Sequence, residues 1–136
     1  MPRLLEGLPH HFDRNLSTEK QRADAKEMHG YWFYTSAVAI SDMHFQEISS
    51  ILEADGSLQK WTGEKLCDGF HPDWLIRCSG VNGTVTYLIC FGCHEAMVFA
   101  DGTETRYDLS PSAYAVLEMY LKEKRINRPE TKVISN

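Results

Sequence analysis

The hydrophobic positions of this chain change their spacing along its length, and the changes mark secondary structure. Between residues 74 and 107, apolar and β-branched residues fall in short runs separated by Asn-Gly and Asp-Gly turn signals. Such runs predict strands, and tight turns make neighbouring strands antiparallel. We predict strands over 74–79, 84–91, 94–100 and 104–107. The two central strands meet near Gly92.

Two other segments show the spacing of amphipathic helices. Apolar residues recur every three or four positions after Ser41, as far as the Asp55-Gly56 break, and again after Ser110-Pro111. A serine before such a run is a good N-cap, and proline suits the first helical position. These patterns predict helices over 42–54 and 111–124.

The remaining segments carry weaker signals. Residues 18–29 are rich in helix formers and are followed by Gly30, which predicts a surface helix. Residues 31–40 are aromatic and β-branched and predict a strand, whereas 58–70 predicts an ordered loop. We also predict an irregular N-terminal arm over 1–16 and a loose tail over 127–136.

Together these elements predict an α+β fold in a single domain over residues 1–136. Its core is a mainly antiparallel sheet of four to five strands. Because the two clear helices each have one apolar stripe, we expect both to pack on one face of the sheet. The other face is then left for solvent or for a partner.

Composition narrows the class of protein. The chain has 136 residues, 43% of them hydrophobic, and a net charge of -5. This acidity disfavours nucleic acid and favours a basic protein partner. No apolar run approaches the roughly 18 residues that span a bilayer, so no membrane association is expected. The N-terminus shows no export signal, which predicts a cytoplasmic protein, or a periplasmic one if a signal has been removed.

The string Cys90-Phe91-Gly92-Cys93-His94 is the main chemical motif. We reject haem attachment and redox catalysis for it, because it lies between strands and not at a helix N-terminus. A Cys-x-x-Cys turn can supply two thiolates to zinc. The sequence predicts a structural zinc site with the ligands Cys67, His71, Cys90 and Cys93. His94 or Cys78 could replace one of these ligands. Buried, inert thiols are the competing interpretation.

Recognisable enzyme motifs do not accompany these cysteines. The sequence contains no nucleophile elbow, no phosphate-binding loop and no His-Glu-x-x-His string. Cys93 could be drawn as a nucleophile with one of the six histidines, but sequence alone does not show that the two are adjacent. A non-enzymatic protein is the favoured interpretation.

Three short patterns also resemble a group of small bacterial proteins of unassigned function. They are Lys65-Leu66-Cys67, Phe70-His71-Pro72-Asp73, and the strand segment 88–95, followed by Tyr107–Ser110 before a terminal helix. The resemblance covers roughly residues 37–123. It implies no activity, although small acidic bacterial domains of this kind are often inhibitors or immunity proteins, an analogy only.

We therefore expect an acidic protein-binding domain that neutralises a partner. Carboxylates in turns would steer association and aromatic anchors would slow dissociation. The candidate contacts are Asp55, Trp61, Glu64, Asp68, Asp73, Trp74, Asp101 and Glu104. The alternative is a small zinc-binding or thiol-dependent protein that uses the segment 90–94. The oligomeric state is left open.

Overall fold

The computed structural model of the protein describes residues 3–8, 24–63, 69–81 and 83–125. Within these ranges the chain forms eight strands and two helices. The strands are β1 (Arg3–Glu6), β2 (Ala25–Met28), β3 (Tyr31–Tyr34), β4 (Leu58–Lys60), β5 (Trp74–Gly80), β6 (Gly83–Cys90), β7 (Glu95–Ala100) and β8 (Thr103–Leu109). The helices are α1 (Asp42–Glu53) and α2 (Pro111–Lys122).

Six of the described strands form an antiparallel sheet in the order β1-β5-β6-β7-β8-β4. Its centre, β5 to β8, is a meander in which each strand pairs with the next along the chain. At the β7–β8 turn, Asp101 and Gly102 both have positive φ, which is the backbone of a type I′ hairpin. The predicted α+β class and antiparallel core are thus confirmed, although the main sheet has six strands and not the four to five predicted.

Both helices pack on one face of this sheet, called the helix face below. Ser41 and Ser110 cap them as predicted, since each serine oxygen accepts an N–H from the first turn. The core under the helices contains Trp74, Ile89 and Leu117, all fully buried. Burying such side chains stabilises the fold by roughly 1.5–3 kcal/mol each.

The opposite face carries the β2–β3 hairpin and is called the hairpin face. Phe33 of β3 is fully buried against Leu5, Leu75 and Leu88 of the sheet. The expectation that this face is left for solvent or a partner is therefore wrong over the area that the hairpin covers.

The hairpin also corrects the predicted helix over 18–29. Residues 25–28 are strand β2, and His29-Gly30 form a two-residue turn with positive φ at both positions. The aromatic run of β3 offers this segment a partner, whereas its own apolar face was too thin to bury a helix. Residues 18–23 lie outside the described ranges.

Three further predictions from the sequence need correction. The N-terminal arm is not irregular throughout, because Arg3–Glu6 pairs with β5 as an edge strand. The loop over 58–70 begins with strand β4, which pairs with the end of β8. The strand predicted over 31–40 ends at Tyr34. The rest of the arm, residues 64–68 and the tail over 127–136 lie outside the described residues.

Candidate functional site

The Cys-x-x-Cys turn, residues 90–93, connects the two central strands, and the segment Gly69–Asp73 crosses beside it. We call this segment the strap. The N–H of His71 donates to Cys90 Sγ over 3.4 Å, and the Cys93 thiol donates to the Gly69 carbonyl over 3.2 Å. The strap therefore holds both sulfurs of the turn.

Asp73 fastens the end of the strap to the same turn. Its Oδ2 accepts the N–H of Phe91 at 2.8 Å, and its own N–H donates to the Ile89 carbonyl at 2.7 Å. Arg125 lies 3.6 Å from the second carboxylate oxygen. Asp73 therefore stabilises the turn through both its side chain and its backbone.

The sulfur of Cys90 lies among hydrogen-bond donors. A second N–H, that of Cys93, donates to it at 3.4 Å, and both cysteines are free thiols. Burial raises the pKa of Cys90 above its ordinary value, while these N–H donors and the Cys93 thiol act in the opposite direction. A cation beside this sulfur would favour the thiolate, which the same donors already help to stabilise.

A buried ion pair adjoins the turn on the hairpin face. Glu95, fully buried, lies opposite Cys90 in the β6–β7 register. Its Oε1 accepts from Arg106 Nε at 2.8 Å and lies 2.7 Å from Nη2, while Trp61 Nε1 donates to Oε2 at 3.0 Å. The Arg106 guanidinium also lies over the rings of Trp61 and Phe70.

The predicted zinc ligands are only partly described. Cys90 and Cys93 are brought together and His71 lies beside them, but Cys67 is outside the described residues. Among the residues that are described, no group of three or more His, Cys, Asp or Glu is placed to share a metal ion.

Neither proposed substitute ligand fits. Cys78 packs on the helix face, opposite to Cys90, and burial raises its pKa to about 11. His94 has positive φ and stacks on Tyr114 of α2, with ring centroids 3.8 Å apart. Both side chains are therefore directed away from the two sulfurs.

The predicted partner-binding residues do not form one surface. Trp74 is fully buried in the core, so its side chain is not available to a partner. Trp61 and Asp73 are engaged in the contacts described above. Glu64 and Asp68 lie outside the described ranges.

The three exposed members of that set lie at two ends of the sheet. Asp101 and Glu104 are at the β7–β8 turn, whereas Asp55 precedes β4, which pairs with the far end of β8. Along β8 these ends are separated by about 20 Å.

The outer surface of the helix pair is a second candidate site. Met43 of α1 and Met119 of α2 are 68% and 58% exposed. The helices leave an open groove of about 440 Å³ between them, with Ile51 and Val116 on its walls and Glu47 at its rim. We call this the helix groove. The sequence analysis did not single it out, although a methionine on each polar helix face was a readable signal.

No protein-family model, no curated protein and no solved structure matches this chain. Neither α1 nor α2, the helices of the described part, has the length and apolar character needed to cross a membrane.

Proposed function

We propose that this protein is a non-enzymatic domain that binds and neutralises a basic partner protein, as inhibitors and immunity proteins do, and that it binds through the helix groove. The observation that carries the proposal is an open groove lined by the exposed Met43, with a second exposed methionine, Met119, one helical turn from Val116 on its wall. Methionine is flexible and polarisable and serves binding surfaces that adapt to their ligand.

The charge of the two helices supports a basic ligand. They carry four acidic residues, Asp42, Glu47, Glu53 and Glu118, against a single lysine, Lys122, and Glu47 is at the groove itself. An apolar groove on an acidic helix pair suits an amphipathic helix whose polar face is basic. The proposed binding surface is therefore on the helices, whereas the sequence analysis placed it in the turns.

We expect the double variant Met43→Lys/Met119→Lys to lose a partner captured by the wild-type protein from the source cell. The substitutions place one charge in the groove, at Met43, and a second one helical turn from its wall, at Met119. The expected loss of affinity is at least about 100-fold, or roughly 3 kcal/mol. Quantitative pull-down followed by titration of the purified partner measures it.

Val81→Lys is the matched control, because Val81 is also an exposed apolar residue but lies at the β5–β6 turn, outside the helix groove. It should keep the partner. Retention of the partner by the double variant, or equal loss in the control, would contradict binding through the groove. Reversing the charge at Asp101 and Glu104 tests the acidic turns in the same assay.

The CxxC turn supports a second candidate function, zinc binding. Two N–H donors on Cys90 Sγ and the adjacent Cys93 thiol form the kind of environment in which a turn presents two thiolates to one ion. Gly69, which accepts from Cys93, follows Cys67 by two residues in the sequence. The proposed ligands are Cys67, His71, Cys90 and Cys93.

If zinc binds there, native mass spectrometry should show one ion per chain, and a chelator should lower Tm. Loss of about 3 kcal/mol of metal-linked stability would lower Tm by about 10 °C in a domain of this size. Cys93→Ser should abolish zinc binding, whereas Cys78→Ser should retain it. Purified protein without zinc, and with a melting curve that EDTA leaves unchanged, would end this candidate.

A further inference from the structure

An open cleft of about 530 Å³ lies on the hairpin face, beyond the β2–β3 turn. Its floor is the part of the sheet that the hairpin does not cover, and it is remote from both the CxxC turn and the helix groove. Arg77, Thr86 and Phe99 lie on this floor in one register row across β5, β6 and β7. The cleft is therefore a separate surface, independent of the function proposed above.

Arg77 brings a positive charge to one end of this cleft, whereas Asp101 and Glu104 line the other end, at the β7–β8 turn. It is half-buried and pairs in register with Arg3 of β1, so two like charges face each other on adjacent strands. In the described part of the chain, no carboxylate lies within 4 Å of either guanidinium. An anion bound here would relieve that repulsion.

A hydroxyl lies next to Arg77 at the floor. Thr86 is 5% exposed, and its side chain forms no hydrogen bond with any residue that the structure describes. Thr84 adds a second hydroxyl, 3.2 Å from that of Ser79. A guanidinium fork beside the Thr86 hydroxyl is a favourable arrangement for a planar or tetrahedral oxyanion.

An aromatic wall stands on the other side of the floor. His29, at the tip of the hairpin, stacks on Phe99 with ring centroids 4.1 Å apart. Burial and the charge of Arg77 lower the pKa of His29, while the charge of Glu104 acts in the opposite direction. Glu104 lies on β8, separated from Arg77 by two strands and hence by roughly 14 Å, so it leaves the Arg77 end to an anion.

We propose that this cleft binds a small organic oxyanion, a carboxylate or phosphate, held by Arg77 and the Thr86 hydroxyl, with the apolar part of the ligand against Phe99. The cleft is open, which fits a weakly held small molecule or the anionic end of a larger one. Both ligand types, a carboxylate and a phosphate ester, would present one oxyanion beside one apolar group.

The test is an NMR titration of the whole chain with two probes, benzoate and inorganic phosphate. We expect saturable amide shifts around Arg77, Thr86 and Phe99, with a Kd of the order of 1 mM for the preferred probe. Tighter binding of benzoate assigns the ligand as an aromatic or apolar carboxylate. Tighter binding of phosphate assigns it as a phosphate ester.

Arg77→Gln should weaken binding at least about tenfold, and Thr86→Val, which keeps the side-chain shape, about threefold. Lys60→Gln is the control, because it removes the same charge from β4 at the distant edge of the sheet and should leave Kd within about twofold. The proposal is overturned if neither probe gives saturable shifts by about 20 mM. It is also overturned if both Arg77→Gln and Thr86→Val bind as the wild type does, or if Lys60→Gln weakens binding as much as Arg77→Gln.

Discussion

Replacing Glu95 by glutamine is expected to lower the free energy of unfolding by about 3 kcal/mol, because it removes the buried carboxylate charge that pairs with Arg106. The carboxylate is fully buried and receives two Arg106 nitrogens on one oxygen and Trp61 on the other. Glutamine keeps the shape and can still accept from Trp61. The Arg106 side chain is 22% exposed, so water compensates in part and the loss falls at the lower end for a broken buried pair.

Urea unfolding followed by circular dichroism measures this loss. Glu104→Gln is the matched control, since it makes the same chemical change at an exposed position of β8 and should stay within about 0.5 kcal/mol of the wild type. In the double variant Glu95→Met/Arg106→Met, part of the stability should return, because apolar residues of similar volume need no partner. A Glu95→Gln protein within about 1 kcal/mol of the wild type would show that the charge of Arg106 does not need the Glu95 carboxylate.

The central meander could be predicted from the sequence because local signals determine it. Asp101-Gly102 selects a two-residue turn, and the strands on either side then pair in one register. The alternation along β6 is also informative. The period of a strand puts Leu88 and Cys90 on one face and Ile89 on the other, and the two cores have this division.

The edges of the fold were harder to predict, because their structure depends on distant residues. Strand β1 is four residues long, and its register is set by β5, some seventy residues further along the chain. Strand β2 combines helix-forming residues with a strand conformation that only its neighbour β3 can impose. Intrinsic propensity is a weak prior in both segments, and tertiary pairing overrides it.

The candidate site also has a part that local sequence signals predict and a part that depends on distant residues. The spacing of Cys90 and Cys93 placed two thiols in one turn, which the structure confirms. Their neighbours Glu95 and Arg106 were not identified, because these two meet only through the pairing of β7 with β8. Trp74 was misassigned to the surface, since a tryptophan next to an acidic turn looks the same in sequence whether it points out or in.

Gly7→Ala is expected to destabilise the protein by about 3 kcal/mol and to expose the two thiols of the CxxC turn. A methyl group on Gly7 would overlap the carbonyl oxygen of Pro72 and lie 3.0 Å from its carbonyl carbon. These are backbone atoms of the strap, so no side chain can rotate to make room. The N–H of Gly7 also donates to the Asp73 carbonyl at 2.8 Å, so relief of the overlap requires the strap to move.

Because the strap holds both sulfurs, its displacement should break the contacts of His71 with Cys90 and of Gly69 with Cys93. We expect the rate of thiol modification by a disulfide reagent under native conditions to rise at least about tenfold, which corresponds to about 1.4 kcal/mol of easier opening. Gly92→Ala is the control within the turn itself. Its methyl group meets nothing within 4 Å and its φ is not positive, so stability should be unchanged or slightly higher. If Gly7→Ala is destabilised but its thiols react no faster than those of Gly92→Ala, the turn holds its sulfurs without the strap, and the strap belongs to the fold alone.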